Sequence, residues 1–270
     1  MNDHQDTPLL GQTSAHPHFP DVFSVKGQLA IVTGGGTGLG FATTSCLVAG
    51  GARVVITGRR KEVLDNAVQH LGPMVSAEQH DVTDADSSTS LLERIQQTHG
   101  SPTILVNNAG THVKKTIEDH SVEDFRSILA THVEGAFTMT RATVPYMRRA
   151  GKGSIVFIAS MSSLIGVPNI VGYSAAKAAY LGMVRSLATE LGPANIRVNA
   201  IAPGWIETPM LSQALSGDPE RKNKILSRTP QKRFGTPAEI GWAIVYLSSP
   251  AASFVNGTVL PVDGGASIGF

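Results

Sequence analysis

Seven short runs rich in β-branched residues recur along this chain from residue 28 onward, separated mostly by longer segments compatible with helix. They are QLAIVT (28–33), ARVVIT (52–57), VSAEQHDV (75–82), TILVNN (103–108), GSIVFIA (153–159), NIRVNAI (195–201) and TVLPVD (258–263). Most are apolar on both faces, as strands must be when helices cover both sides of a parallel sheet. The segments near 38–50, 61–72, 84–99, 121–150, 172–192 and 236–248 read as helices. Strand and helix alternating in this way predict an α/β fold: a single doubly wound domain with a seven-stranded parallel sheet flanked by helices. The longest irregular stretch, 203–235, is rich in Pro, Gly and charge, and reads as a lid or binding segment.

No shift in composition marks a second domain within the 270 residues, of which 41% are hydrophobic, enough for a sizeable core. Residues 1–24 read as a polar arm, with no basic and apolar leader pattern, and 25–270 as the single folded domain. A formal net charge of +1 with 16% charged residues offers no electrostatic case for nucleic acid or an anionic membrane surface. No apolar run approaches the roughly 20 residues of a membrane-spanning helix. The chain is therefore expected to be soluble and cytoplasmic, with a small molecule or another copy of itself as partner. The single cysteine, Cys46, reads as a buried structural thiol and fits a reducing compartment. His16 and His18 flank a proline in the arm and read as solvated, so no metal site is expected.

The first strand runs into IVTGGGTGLG, which opens a helix, where a Rossmann-type domain keeps its phosphate-binding turn. The spacing is T-G-x-x-x-G-x-G. Gly34 suits a tight turn, Gly38 the close approach of backbone N–H groups to a pyrophosphate, and Gly40 close packing of helix on strand. Gly36, Thr37 and Leu39 complete this expected cofactor turn. About 20 residues further on, an NAD-binding domain commonly carries an acid for the ribose hydroxyls. Here ITGRRKE offers Arg59 and Arg60, and a guanidinium suits a 2′-phosphate. NADP(H) is accordingly favoured over NAD(H).

YSAAK at 173–177 places a phenol and an ammonium four residues apart, on one face of a helix. A phenol with a pKa near 10 is a poor acid or base at neutral pH unless a nearby positive charge stabilises its phenolate. Tyr173 and Lys177 make such a pair.

These motifs, with HDV, NNAG at 107–110, a serine-rich turn after the fifth strand, PG at 203–204 and a terminal VDGG, stand in the order seen in the short-chain dehydrogenase/reductase family. The chain resembles that family from residue 25 to 270. The resemblance implies that Tyr173 is the catalytic acid/base and that Lys177 lowers its pKa while bonding the nicotinamide ribose. It makes Ser160, thirteen residues before the tyrosine, the partner that polarises the substrate carbonyl, with Ser162 and Ser163 as competitors. It assigns Asp81 and Val82 to the adenine side and Asn107, Ala109 and Gly110 to the middle of the cofactor; Asn107 could instead hold central strands together. Pro203, Gly204, Ile206 and Thr208 fall at the nicotinamide end. The implied reaction is reversible hydride transfer between NADP(H) and a secondary alcohol or ketone.

One position departs from the family pattern. Relatives place an asparagine in the segment matching ILATHVEGAF, where it helps hold a water in the proton relay to the lysine; this chain has His132. Either its backbone carbonyl, freed by an irregular helix turn, holds that water, or the imidazole joins the proton path. For substrate, NNAGTHVKKT with RTPQKRFG looks similar to gluconate 5-dehydrogenase-like members, and Lys114 and Lys115 could neutralise a carboxylate. A sugar acid or polyol is expected; the alternatives are a 3-oxoacyl-thioester reductase and a non-catalytic sensor or structural subunit that binds the cofactor. The resemblance also implies a homotetramer, with helices 121–150 and 172–192 against symmetry mates.

Overall fold

The computed structural model describes residues 21–208, 211 and 215–269. All but the last four residues of the expected arm lie outside the described residues. Seven strands form one wholly parallel sheet: β1 (Leu29–Thr33), β2 (Arg53–Gly58), β3 (Val75–Gln79), β4 (Ile104–Asn107), β5 (Gly153–Ile158), β6 (Ile196–Pro203) and β7 (Val259–Val262). Their spatial order is β3-β2-β1-β4-β5-β6-β7. The chain thus works outward from β1 in one direction, then returns and works outward from β4 in the other. Between the C-terminal ends of β1 and β4 the connecting loops diverge, and that crevice is where an open α/β sheet accepts a ligand.

The helices are α1 (Gly38–Ala49), α2 (Lys61–Leu71), α3 (Ser87–His99), α4 (Val122–Leu129), α5 (Gly135–Ala150), α6 (Val171–Leu191), α7 (Pro219–Arg228) and α8 (Pro237–Ser248). Alternation along the strands divides the core in two. Ala30, Val32, Ile104 and Val106 face the layer that contains Leu47 of α1, Leu64 of α2 and Ile244 of α8. Leu29, Ile31 and Leu105 face the layer of α3, α5 and α6, where Leu92, Met139 and Val184 meet them. Each fully buried Leu, Ile or Val contributes about 1.5–3 kcal/mol, so a sheet covered on both sides must carry apolar residues at consecutive positions. Cys46 is buried in the α1–α8 contact, where Gly241 leaves room for it: a Cβ there would stand 2.5 Å from its Sγ.

Three segments differ from the sequence-based expectation. The strand at VSAEQHDV stops at Gln79, because His80 turns inward to the hydroxyls of Ser87 and Ser88, at 3.2 and 3.3 Å. The helix expected over 121–150 is interrupted by a π-helical segment, Ala130–Glu134, with His132 at its centre. The irregular stretch 203–235 contains α7, started by Pro219 at a first-turn position and by the Asp218 carboxylate, which accepts from the Arg221 N–H at 2.9 Å. An Asp-Pro cap begins a helix in a stretch whose composition reads as loop.

Candidate active site

The glycine turn after β1 has the expected backbone. Gly34 and Gly38 take positive φ, 65° and 54°, a conformation that glycine adopts without steric cost. A Cβ on Gly40 would collide with the Gly34 carbonyl, so the third glycine lets α1 sit against the turn. Thr37 stands at the N-cap without a side-chain cap hydrogen bond, and the space beside Gly38 is open. The first-turn N–H groups of α1 can therefore receive a phosphate. At the end of β2, Arg59 and Arg60 are exposed. Asp81 lies near Arg59; burial pushes its carboxyl up, but the Thr83 N–H and hydroxyl, with the Arg59 guanidinium, outweigh that and hold it below its usual value. Its neighbour Val82 is buried against Gly135. Chain and dinucleotide fit each other on these observations.

The NNAG segment is divided between two tasks. Asn107 is buried and donates to the Thr140 hydroxyl of α5 at 3.0 Å, with its Oδ1 lacking a partner among the described residues. Its side chain is thus part of the sheet-to-helix packing rather than the wall of the crevice. Asn108, which the sequence reading passed over, ties β4 to β1: its amide donates to the carbonyls of Thr33 and Gly34 at 2.8 and 3.1 Å. Thr33 answers by accepting the N–H groups of Asn108 and Ala109 at 3.0 and 2.9 Å. The signal for Asn108 was its adjacency to Asn107, since successive strand residues face opposite ways.

Ser160, Tyr173 and Lys177 come together at the C-terminal end of β5. Ser160 follows the strand and its hydroxyl accepts from both the Ser162 N–H and hydroxyl, at 3.1 and 3.0 Å. It also faces the Tyr173 hydroxyl, whose phenolate form it favours. Ser162 is buried and supports Ser160, while the Ser163 hydroxyl is buried without a partner among the described residues. Lys177 is buried, its Nζ donates to the Ile158 carbonyl at 2.5 Å and stands 5.5 Å from the centroid of the Tyr173 ring. Burial lowers the Lys177 ammonium to about 7. Burial also raises the Tyr173 phenol above its ordinary value, against the opposing influence of the Ser160 hydroxyl. In the free chain, desolvation of the phenolate thus outweighs what favours it, and Lys177, itself lowered by burial, does not reverse that direction.

The His132 carbonyl already has one donor. The π segment is present, but the Tyr180 hydroxyl donates to the His132 carbonyl at 2.8 Å. Its ring points to the loop after β4: Nε2 is 2.8 Å from the Thr111 carbonyl and 3.1 Å from the Thr111 nitrogen. The shorter contact assigns the proton to Nε2. Burial, followed by the Lys177 charge, pushes the imidazole down to about 3, with the Thr111 bond opposing. It is neutral throughout the neutral range.

The remaining expected residues frame the other side. Pro203 ends β6 beside Val262, and a Cβ on Gly204 would lie 2.7 Å from the Asp263 Cα. Ile206 is buried and bridges to Gly235, while the Thr208 hydroxyl accepts from the Leu211 N–H at 3.2 Å. Lys115 is committed elsewhere, in a 2.7 Å ion pair with Asp124, the residue that also completes the capping box of α4. Of the two lysines, only Lys114 is left for a substrate anion. No helix is long and apolar enough to cross a membrane, and no group of three metal-ligating side chains occurs, among the described residues.

A parallel sheet with a glycine cradle over β1 and a serine, tyrosine and lysine over β5 defines a nicotinamide-dependent oxidoreductase of the α/β class. The family model described as Enoyl-(Acyl carrier protein) reductase matches residues 34–267. The chain belongs to the short-chain dehydrogenase/reductase family and is an NAD(P)-dependent oxidoreductase. It is 37% identical over 248 residues to the 3-oxoacyl-[acyl-carrier-protein] reductase of Thermotoga maritima, covering 90% of this chain and 99% of the relative. It is also 37% identical over 252 residues to gluconate 5-dehydrogenase of Gluconobacter oxydans, covering 92% and 98%. The crystal structure of a gluconate 5-dehydrogenase from Burkholderia cenocepacia in complex with NADP and tartrate superposes with a TM-score of 0.89 at 29% identity, over 93% of this chain and 99% of that one.

The low value at His132 has a consequence for stability. An unfolded histidine titrates near 6.5, so between pH 6.5 and about 3 the unfolded chain binds a proton here that the folded chain refuses. This contribution is complete above pH 6.5 and is lost as the pH falls from there. His132→Gln, which does not titrate, is expected to flatten the decline of the urea midpoint between pH 7.5 and 5. An identical slope in wild type and variant would show that the buried imidazole titrates normally.

Proposed function

We propose that this chain is an NADP(H)-dependent oxidoreductase acting on a secondary alcohol or ketone of a sugar acid or polyol. The observation that carries the reading is the convergence of Ser160, the Tyr173 phenol and a buried Lys177, whose Nζ lies 5.5 Å from the centre of the Tyr173 ring. The cofactor, when bound, supplies or accepts the hydride at the substrate carbon. In the direction of reduction, Tyr173 Oη gives its proton to the substrate oxygen as the C=O bond becomes C–O–H, and Ser160 donates a hydrogen bond to that same oxygen. Ser162, by donating to Ser160, leaves the Ser160 proton free for that purpose. The phenolate then left on Tyr173 needs a positive neighbour, and Lys177 in its protonated form is placed to be one. In the direction of oxidation the same groups act in reverse.

The preference for NADP(H) rests on Arg59 and Arg60, both exposed at the end of β2 and neither in an ion pair among the described residues. The sugar-acid substrate draws support from the gluconate 5-dehydrogenase relatives, one of them holding NADP and tartrate. A 3-oxoacyl thioester remains the second reading, since the Thermotoga reductase is as similar as the Gluconobacter enzyme. A non-catalytic role finds no support in a chain that keeps the serine, tyrosine and lysine together. The chain is also proposed to be cytoplasmic and to form a homotetramer. Val122, Phe137 and Val171 expose apolar surface on α4, α5 and α6, as helices awaiting a symmetry mate would.

Screening gluconate, other sugar acids, polyols and 3-oxoacyl thioesters by NADPH absorbance tests the substrate; turnover of thioesters alone would replace the first reading by the second. Tyr173→Phe is expected to lower kcat by about 10²–10⁴-fold with little change in cofactor affinity, and a variant with near-wild-type kcat would remove the acid/base role. Arg59→Asp is expected to weaken NADPH far more than NADH, because it deletes a phosphate partner and adds a like charge. Equal losses for the two cofactors would mean that Arg59 does not meet the 2′-phosphate. Light scattering at micromolar concentration should give four times the mass of one chain; a monomer would contradict the assembly.

A further inference from the structure

Two imidazoles meet the ring of Tyr173 edge-on. His132, in the π segment, has its ring centroid 5.5 Å from that of Tyr173 at an interplanar angle of 87°. His112, in the loop after β4, lies at 5.0 Å and 84°. Backbone links the two. His132 Nε2 is bonded to Thr111, the residue immediately before His112. Gly110 makes the bond possible, since a Cβ there would run into Cε1 of His132. Nothing else in the loop supplies this constraint at the same place; the backbone bond from Lys115 to the Asn169 carbonyl, 2.9 Å, fixes it only three residues further on.

We propose that His112 contacts the substrate and selects for a hydroxyl on the carbon next to the reacting one, and that His132 is a positioning residue that sets His112 against Tyr173 through Thr111. The inference rests on the oxidoreductase reading above and narrows its substrate class. His112 is exposed, and its ring nitrogens have no hydrogen bond among the described residues. It therefore keeps a donor and an acceptor to offer. A hydroxyl, which both donates and accepts, matches a neutral imidazole better than a carboxylate does, and partial burial with the Lys114 charge holds the ring below its ordinary value. With Tyr173 acting on the reacting oxygen as proposed above, an imidazole whose ring centre lies 5.0 Å from that of Tyr173 is placed beside an oxygen on the neighbouring carbon. A 3-oxoacyl thioester carries no such hydroxyl. A polyol or sugar acid does.

The test compares two carbonyl substrates that differ by that hydroxyl alone, 3-hydroxy-2-butanone and 2-butanone, in wild type, His112→Ala, His132→Ala and His132→Gln, with NADPH. Wild type is expected to favour the hydroxyketone in kcat/KM by at least tenfold. His112→Ala should lose at least tenfold more on the hydroxyketone than on the plain ketone, and His132→Ala should lose in the same sense. His132→Gln, whose amide reaches the place of Nε2, should recover most of the preference. A second readout does not depend on turnover: the His112 ring signals in histidine-labelled protein, shifted by the Tyr173 ring, should move in His132→Ala and return in His132→Gln. The inference is overturned if wild type shows no preference or reduces neither ketone, if His112→Ala keeps the preference, or if the His112 signals are the same in His132→Ala as in wild type. Loss of the preference with Tyr173-dependent gluconate turnover intact would sink this inference and leave the oxidoreductase reading standing; absence of any Tyr173-dependent turnover in the wider screen would sink that reading instead.

Discussion

The contact between the turn after β1 and the turn after β4 governs the rest of the molecule. In it, the Thr33 hydroxyl accepts two N–H groups from Asn108 and Ala109, and the Asn108 amide returns two bonds to Thr33 and Gly34. A parallel sheet whose strand order reverses at this point sends the loops after β1 and β4 in opposite directions. Its loops would splay unless something held them. Four hydrogen bonds between buried or half-buried groups do so, and each is worth more in this partly desolvated place than at the surface. They fix where the glycine cradle lies relative to β4. They thereby set where a cofactor bound to that cradle meets the groups carried by β5 and α6.

Burial sets the chemistry of the second half of the site. Lys177 lies among β5 and the rings of Tyr173 and Tyr180, with one carbonyl as its hydrogen-bond partner. Desolvation lowers the lysine and raises the tyrosine, so in the free chain both groups are drawn toward their uncharged forms. A proton can then leave Tyr173 readily only when its surroundings gain positive charge or the substrate oxygen gains negative charge. Low dielectric thus shapes this pair in a way that the bare spacing of phenol and ammonium does not convey.

The architecture, and the meeting of Ser160, Tyr173 and Lys177, were legible in the sequence because each rests on a local rule. Buried parallel strands must be apolar at consecutive positions, glycines must stand where φ is positive, and Tyr173 and Lys177 must be four apart to share a helix face. What was not legible depends on which way a side chain turns. Asn107 and Asn108 are identical in type and adjacent, yet one anchors α5 and the other joins β4 to β1. Lys114 and Lys115 are likewise alike in sequence, while only Lys115 meets Asp124. The helix α7 was hidden by composition, since Pro and Asp at its start count as loop residues until their capping geometry is seen. The π segment at 130–134 has no signature in hydrophobic spacing that would separate it from a continuous helix.

The departure at His132 is best understood through that segment. A π turn widens the helix and carries one residue out of the regular register, and here the freed carbonyl is taken up by the Tyr180 hydroxyl rather than left open to the site. The imidazole is buried on the other side, with Nδ1 lacking a partner among the described residues and Nε2 spent on the Thr111 backbone. Burial first, and the Lys177 charge second, disfavour a charged histidine there, which is why the ring stays neutral to such low pH. A residue forced to be neutral contributes geometry rather than charge. What it holds is the Thr111 backbone in the loop after β4, while Ser160, Tyr173 and Lys177 are carried by β5, the turn after it and α6, so the ring acts on a different part of the site from that trio.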